Sequence, residues 1–250
     1  NIIYNLSIIN ADAFAIGTIG KDAAPYLEWM KKNNIDTSYI RTIDDSYTAQ
    51  AYITTDQNAN QITTFHPGAM QFSNQIDIPN DQSINLGLIS PDGREGMLTH
   101  TKQLIEMNIP YIFDPGQGMP MFNKDELKFF SDNSMWIVMN DYEFKMYNEI
   151  TGLSVKDLVE TNKTIIITNG EKGSKIFSPE QELSIPTPKV NEPKDPTGCG
   201  DAYRAGMIYG ISKNMSLEKI GELSSKLGAL KVKTFGTQNH QITDEIKKLL

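Results

Sequence analysis

Apolar and polar positions follow a regular pattern of short strands and longer helices in the second half of the chain. Apolar runs bounded by turn residues predict strands, and stretches with apolar residues three or four apart predict amphipathic helices. The predicted strands are 86–90, 111–114, 135–139, 163–167 and 174–177, and the predicted helices are 94–108, 125–132, 201–213 and 217–232. Repeated strand and helix units predict an α/β fold with a mostly parallel sheet and helices on both faces. Ligands of such sheets bind beyond the carboxyl ends of the strands.

The first 66 residues have a different pattern. It predicts a helix over residues 1–9, a strand over 13–19, and a second helix that Asp22 caps. Further runs of β-branched and aromatic residues, separated by turns at 44–45 and 56–58, are 39–43, 48–55 and 61–66. These runs are typical of a meander of strands. The sequence therefore predicts a small sheet that is separate from the main one.

Composition narrows the classes of partner. The 250 residues include 23 Lys and Arg against 31 Asp and Glu, which gives a formal net charge of −8. Because no basic cluster is present, nucleic acid and anionic membranes are poor candidate partners. Cys199 is the single cysteine, which excludes an internal disulfide and suits a reducing cytoplasm. No uncharged apolar run approaches the length of a membrane span, and no signal peptide is visible.

The segment Asp195–Gly206 carries the strongest chemical signal. Asp-Pro-Thr-Gly-Cys-Gly-Asp is a tight glycine turn, and an apolar-periodic helix follows from Asp201. Free N–H groups at a helix start bind anions, and the helix dipole adds positive charge there. A carboxylate at this position can take a proton from an attacking hydroxyl. The alternative is that Asp195 or Thr197 simply caps the helix, which leaves the two glycines and Asp201 unexplained.

Asn140 and Glu143 form a second signal, directly after an apolar strand. Their spacing puts both side chains on one face of a helix start, where they could hold a hydrated Mg²⁺ that bridges donor phosphates. The same spacing is also a capping box, which needs no ligand. The residues alone leave both interpretations open. A Walker phosphate-binding motif is absent from the sequence, which excludes the P-loop NTPases.

Three motifs in order resemble those of the PfkB, or ribokinase-like, family of small-molecule kinases. They are Asn-x-x-Glu at 140–143, Thr-x-Gly-x-x-Gly at 168–173 and Asp-Pro-Thr-Gly-Cys-Gly-Asp at 195–201. The resemblance covers nearly the whole chain. It implies a ribokinase-like three-layer sandwich that forms one domain over residues 1–250. It also implies that residues 39–66 contribute a small β lid, which would exclude water during the transfer step.

The resemblance also implies roles for particular residues. Asp201 becomes the catalytic base, and the amides of Gly198, Cys199 and Gly200 form the anion hole. ATP and Mg²⁺ are the implied cofactors, with Mg²⁺ held near Glu143, through water. The residues implied at the nucleotide are Asn140, Glu143, Thr168, Gly170, Gly173 and Gly228. The alternative for Gly170 and Gly173 is an ordinary hairpin turn, and for Gly228 it is close helix packing.

Substrate contacts are implied for Asn1, Gln50 and Asp114, in addition to Asp201. Each has a structural alternative, which for Asp114 is an Asp-Pro turn. Asp195 and the loop 236–240 are implied near a monovalent cation, K⁺. Family members usually begin with a strand that carries a substrate-binding Asp and a Gly-Gly pair, so we expect that an N-terminal strand is missing from the sequence.

The substrate itself follows from smaller likenesses. The segments 65–70, 114–118 and 236–240 resemble the bacterial adenosine-kinase-like branch of the family, so adenosine is the first candidate. Free sugars such as ribose or fructose are the second. A non-catalytic ligand-binding or regulatory protein is a third, although an intact Asp201 and its glycines argue against it. Exposed edges of the lid strands would suit a homodimer.

Overall fold

The computed structural model describes residues 1–55 and 61–250. The strands, numbered along the chain, are β1 (Gly17–Gly20), β2 (Ile40–Ile43), β3 (Gln50–Thr55), β4 (Gln61–His66), β5 (Gly87–Ile89), β6 (Tyr111–Phe113), β7 (Trp136–Asn140), β8 (Thr164–Thr168), β9 (Ser174–Phe177) and β10 (Glu182–Ile185). The α-helices are α1 (Ile2–Ile8), α2 (Ala24–Lys32), α3 (Arg94–Glu106), α4 (Lys124–Asn133), α5 (Asp141–Thr151), α6 (Val155–Glu160), α7 (Cys199–Ser212), α8 (Leu217–Lys231) and α9 (Asp244–Lys247). Short 3-10 helices occupy Gly68–Gln75, Gly116–Met121 and Gly170–Lys172.

The chain divides into two compact units. The sheet unit comprises Asn1–Ala13, Asn80–Pro91 and Leu104–Leu250, and the smaller unit comprises Phe14–Pro79 and Asp92–Gln103. Among the described residues, no helix combines the length and the apolar character that a bilayer crossing requires.

The sheet unit is built on one sheet with the strand order β10-β9-β8-β7-β6-β5. Strands β5 to β8 are parallel, whereas β9 and β10 are antiparallel to their neighbours. The predicted α/β architecture with a mostly parallel sheet is therefore confirmed. The short turn between β8 and β9 explains the antiparallel edge, because a turn this short can only reverse the chain.

Helices cover both faces of this sheet. Ile112, Val138 and Ile166 share a buried cluster with Tyr203 and Met207 of α7. On the other face, the Phe113 ring stacks on Phe130 of α4 at 4.9 Å between centroids. This division follows from the strand geometry, since neighbouring residues such as Ile112 and Phe113 point to opposite faces.

Helices α7 and α8 pack closely because of a glycine. A Cβ atom on Gly206 would lie 2.7 Å from the Cα of Ser224, which is too close for any other residue without a shift of the backbone. The end of α8 thereby lies beside the start of α7, where a Cβ on Gly228 would be 3.4 Å from the Cys199 carbonyl oxygen.

The smaller unit corrects two predictions. β2 pairs in parallel with β1, and β3 pairs with β4 in an antiparallel hairpin, so the three predicted runs are not one meander. Asp22 does not cap α2, whose N-cap is Ala23. The Asp22 carboxylate instead accepts hydrogen bonds from the backbone N–H and the hydroxyl of Thr48, both at 2.8 Å. The predicted turn at 56–58 lies outside the described residues.

Candidate active site

Helix α7 begins two residues earlier than predicted, at Cys199, after an unusual N-cap. Gly198 has φ +84°, a left-handed conformation that favours glycine. Among the described residues, no side chain caps the helix. The alternative that Asp195 or Thr197 caps it is therefore wrong, because Oδ1 of Asp195 accepts from the Thr197 N–H at 2.9 Å, within the turn itself.

The N-terminal amides of α7 are only partly used. The Cys199 N–H donates to the Pro196 carbonyl at 3.1 Å. Within residues 1–55 and 61–250, the amides of Gly198, Gly200 and Asp201 donate no hydrogen bond. The predicted anion hole thus loses the Cys199 amide to a backbone carbonyl, while the following two amides, with the helix dipole behind them, are available to an anion.

Asp201 lies in the first turn of α7 and is partly exposed. Its Oδ2 atom accepts a hydrogen bond from Asn1 Nδ2 at 2.8 Å. The Oδ1 atom of Asn1 in turn accepts from Gln238 Nε2 at 3.0 Å. In the described part of the chain, Asp201 Oδ1 has no hydrogen-bond partner. The carboxylate is therefore held through one oxygen and keeps the other for a further partner.

Asp114 lies at the carboxyl end of β6, as predicted, but it is buried. Its two carboxylate oxygens accept hydrogen bonds from Nε and Nη2 of Arg204, the latter at 2.6 Å. The Ser90 hydroxyl donates to Oδ2 at 2.9 Å. Because Asp114 is 2% exposed and both oxygens are engaged, direct contact with a substrate is not supported. Its observed role is to hold the Arg204 guanidinium.

Arg204 connects several parts of this site. Besides the bidentate pair with Asp114, its Nη1 donates to the Gly200 carbonyl at 3.3 Å, and its Nη2 lies 3.8 Å from Oε2 of Glu143. The two carboxylates outweigh the burial of the guanidinium and raise its pKa further above its ordinary value. Arg204 therefore remains charged and joins the end of β6, the start of α5 and the first turn of α7.

The capping box at Asn140 and Glu143 is present. The Glu143 N–H donates to Asn140 Oδ1, and the Asn140 N–H donates to Glu143 Oε2, each at 2.7 Å. Burial raises the pKa of Glu143, and the Asn140 N–H and Arg204 oppose that rise. Of the side-chain oxygens of this pair, Glu143 Oε1 has no partner within the described chain. One of the two interpretations is thus confirmed, and it leaves one oxygen for a metal.

A magnesium ion would find few protein ligands here. Among the described residues, no group of three or more His, Cys, Asp or Glu side chains could hold a metal ion. Glu143 Oε1 fits a hydrated Mg²⁺, which retains waters and commonly takes one or two carboxylates plus phosphate oxygens. The donor set therefore suits a metal that arrives with a nucleotide.

The predicted nucleotide residues of the β8–β9 turn lie together at the end of β8. Thr168 is the last residue of β8, and Gly170 and Gly173 have φ +50° and +91°. A Cβ on Gly173 would lie 2.1 Å from the Ile185 carbonyl oxygen, so the close approach of β10 requires this glycine. A Cβ on Gly228 of α8 would contact the Cys199 carbonyl at 3.4 Å, an ordinary distance.

Asp195 faces a lysine that sequence reasoning missed. Lys231 is 0% exposed, and its Nζ donates to the Asp195 carbonyl at 2.7 Å and lies 3.7 Å from Asp195 Oδ2. The Gly236 N–H also donates to Oδ2, at 2.9 Å. Hydrogen bonds, first that from the Thr197 N–H, lower the pKa of Asp195.

Burial and then the Lys231 charge lower the pKa of His240 to about 4, so its imidazole is neutral at pH 7.

One predicted residue belongs to the other unit. Gln50 is the first residue of β3, in the smaller unit, where the Tyr52 hydroxyl donates to its side-chain oxygen. The other predicted residues, including Asn1, Asp114 and Asp201, belong to the sheet unit.

Two further charged residues join the site in the structure. Arg204 and Lys231 are both buried, on the faces of α7 and α8 that point to the interior. A charge at such a position costs free energy unless it is paired. The spacing of these two residues along their helices could therefore have indicated buried charge partners. Gln238 gave no comparable signal, because a polar residue in a loop is ordinary.

Comparisons with known proteins show the family to which the chain belongs. Residues 1–244 match the family described as pfkB family carbohydrate kinase. A nucleoside kinase of Methanocaldococcus jannaschii is 30% identical over 215 residues, which are 86% of this chain and 70% of that protein. The ribokinase of Bacillus subtilis is 24% identical over 97% of this chain and 83% of its own length.

A solved structure is more similar. The Burkholderia thailandensis nucleoside kinase in complex with inosine is 40% identical, with a TM-score of 0.94 over 98% of this chain and 81% of that one. The same kinase in complex with ADP-inosine also superposes with a TM-score of 0.94, over 99% of this chain and 78% of that one.

Proposed function

We propose, from the premise that this chain belongs to the PfkB family of carbohydrate kinases, that its substrate is a purine nucleoside, with adenosine as the first candidate. Membership and the kinase relatives make it an ATP-dependent kinase of nucleosides or sugars. The observation that carries the phosphotransfer is the α7 start, where the Asp201 carboxylate lies beside amides without an acceptor in the described chain; the choice of a nucleoside comes from the relatives.

Asp201 is the base in this proposal. The unpaired oxygen of the carboxylate takes the proton of the primary ribose hydroxyl. At the same time the hydroxyl oxygen forms a bond to the γ-phosphorus of ATP, and the bond from that phosphorus to the leaving ADP breaks. The Asn1 amide holds the other oxygen at 2.8 Å and so fixes the orientation of the carboxylate.

The amides of Gly200 and Asp201, with that of Gly198, stabilise the negative charge of the transferring phosphoryl group. They are fixed before the reaction, so they require no reorganisation in the transition state. We assign Cys199 a smaller part than the resemblance implied, because its N–H already donates to Pro196. Arg204 supports the same turn through the Gly200 carbonyl, at 3.3 Å.

The remaining nucleotide residues keep the roles that the resemblance implied. Thr168, Gly170 and Gly173 at the end of β8, and Gly228 on α8, are proposed to contact ATP. Glu143, through its free oxygen, would hold Mg²⁺ with Asn140 beside it, and the ion would offset donor phosphate charge. Gln50 remains a predicted substrate contact from the smaller unit.

A nucleoside is favoured over a free sugar by the relatives. The nucleoside kinase from Burkholderia thailandensis, 40% identical, binds inosine, whereas the Bacillus subtilis ribokinase is 24% identical. We expect ATP-dependent phosphorylation of adenosine and inosine at a higher kcat/KM than of ribose or fructose. Higher turnover of the free sugars would indicate a sugar kinase. The absence of product with every acceptor would contradict a catalytic role.

Asp201→Asn tests the assigned base. We expect kcat to fall by about 10²–10⁴-fold, because the amide cannot accept the proton, while ATP binding and the melting temperature stay close to the parental values. Asp125→Asn is the matched control, since Asp125 is also a first-turn carboxylate, exposed at the start of α4. Parental turnover in Asp201→Asn would refute the assignment.

Several other expectations remain predictions. They are a lid formed by residues 39–66, a homodimer through that lid, a cytoplasmic location and a lack of nucleic acid or membrane partners. Residues 39–66 fall within the smaller compact unit, so the lid hypothesis concerns that unit.

A further inference from the structure

The monovalent cation implied at Asp195 does not fit this chain, because a charged side chain already occupies the position. Lys231, in the last turn of α8, is 0% exposed. Its Nζ donates to the carbonyl oxygens of Asp195 at 2.7 Å and Thr234 at 3.4 Å, and it lies 3.7 Å from Asp195 Oδ2. Carbonyl and carboxylate oxygens are the ligands that K⁺ would need.

The same oxygens cannot serve both cations. An added K⁺ would lie a few ångströms from the ammonium in a buried place, where like charges repel strongly. Asp195 Oδ1 and Oδ2 also accept from the amides of Thr197 and Gly236, each at 2.9 Å. One carboxylate, two carbonyls and one ammonium thus form a closed set of contacts.

We propose that the Lys231 ammonium is a built-in cation that replaces K⁺ beside the anion hole, so that phosphotransfer needs no monovalent ion. Lys231 is a positioning residue. It holds the turn at Asp195 against residues 234–236, and that turn leads within three residues to Gly198. Thr237 borders the same glycine, since a Cβ on Gly198 would lie 3.1 Å from Thr237 Cγ2.

The geometry explains why a tethered ammonium suits this place. The turn 195–198 must present the amides of α7 to a phosphate, and no side chain in the described part of the chain caps this helix. The carbonyls of Asp195 and Thr234, both directed at one ammonium, fix the start of this turn against the segment that follows α8. The cation is carried by α8, which packs closely on α7 at Gly206, so its position does not depend on the ionic composition of the solution.

The test compares Lys231→Ala, Lys231→Met and the parent in KCl, NaCl and choline chloride at equal ionic strength. Alanine leaves room for an ion, whereas methionine fills the space without a charge. Lys219→Ala, at an exposed position of the same helix, is the control. Two readouts are measured: phosphotransfer from ATP to adenosine, and the melting temperature in each salt without substrates.

We expect the turnover of the parent to differ by less than about twofold between the salts. Lys231→Ala should lose about tenfold or more in choline and recover in KCl, and its melting temperature should rise by about 2–4 °C in KCl alone. Lys231→Met should lose activity and recover in no salt. Strong K⁺ activation of the parent, or parental activity of Lys231→Ala in choline, would overturn the proposal.

The proposal rests on the proposed phosphotransfer, and the melting measurements keep the two apart. If no acceptor is phosphorylated, a selective effect of K⁺ on the melting of Lys231→Ala still supports the built-in cation, and its absence contradicts it. If both Lys231 variants fail to fold, the parent decides alone. Indifference of its turnover and melting to K⁺ supports the proposal, and a selective response refutes it.

Discussion

Two helices of the sheet unit begin in opposite ways. The start of α5 is closed, because Asn140 and Glu143 exchange side-chain and backbone hydrogen bonds at 2.7 Å. The start of α7 is open, because Gly198 offers no side chain and the amides of Gly200 and Asp201 lack acceptors in the described chain. A satisfied helix start stabilises the fold, whereas an unsatisfied one is available to a ligand.

Arg204 joins the two starts, and its removal has the largest expected effect on stability. Arg204→Met leaves Asp114 buried without its partner, which typically costs about 3–5 kcal/mol of the free energy of unfolding. Urea denaturation measures the change. Arg94→Met, which removes an arginine of an exposed ion pair, should cost about 1 kcal/mol or less.

The double variant Asp114→Asn with Arg204→Met sharpens this test. It removes both buried charges, so it should be more stable than Arg204→Met alone. If Arg204→Met costs less than about 1 kcal/mol, the buried pair does not connect the two helix starts in the way described.

The open start depends on its glycine. Gly198→Ala forces a residue with a Cβ into φ +84°, at a cost of about 1–2 kcal/mol, and it crowds Thr237. Gly152→Ala is the matched control, since Gly152 also has a positive φ, +76°, but an added Cβ there meets open space. In denaturant titrations Gly198→Ala should lose at least as much stability as Gly152→Ala, and only Gly198→Ala should lower kcat. An equal loss of kcat in both would contradict an anion hole at α7.

At the closed start of α5, a substitution is expected to have the smallest effect on stability, and α4 supplies a closely matched control. Asn140→Ala and Asn123→Ala each remove the cap of a complete capping box, on α5 and α4, and each should cost about 1 kcal/mol. Only Asn140→Ala should also raise the Mg²⁺ concentration needed for half-maximal activity, because Glu143 loses its orientation. An unchanged Mg²⁺ requirement would leave α5 a structural helix start alone.

The sequence predicted the sheet unit well because its signals are local. Strands β5 to β9 appear as apolar runs between turn residues, and the alternation with helices implies parallel pairing. The smaller unit was predicted less well. The pairing partner of β2 depends on contacts far along the chain, and Asp22 bonds to Thr48, 26 residues away, in preference to the adjacent helix.

For the candidate site, the sequence by itself determined the residue types and their order. It placed a glycine turn before Asp201, Asn three residues before Glu143, and a chain of motifs that identified the family. Such features are readable because they depend on the conformation of a few consecutive residues. Only the tertiary structure decided how they are held.

The tertiary structure showed that Asp114 is buried against Arg204, that Asn1 reaches Asp201, and that Lys231 lies at Asp195. These pairs are separated by 90, 200 and 36 residues. Whether a carboxylate is free or paired depends on which distant charge the packing of α7 and α8 brings to it. The partner of each carboxylate is decided by which side chains the packing buries together, away from water. The sequence around the carboxylate does not specify that partner.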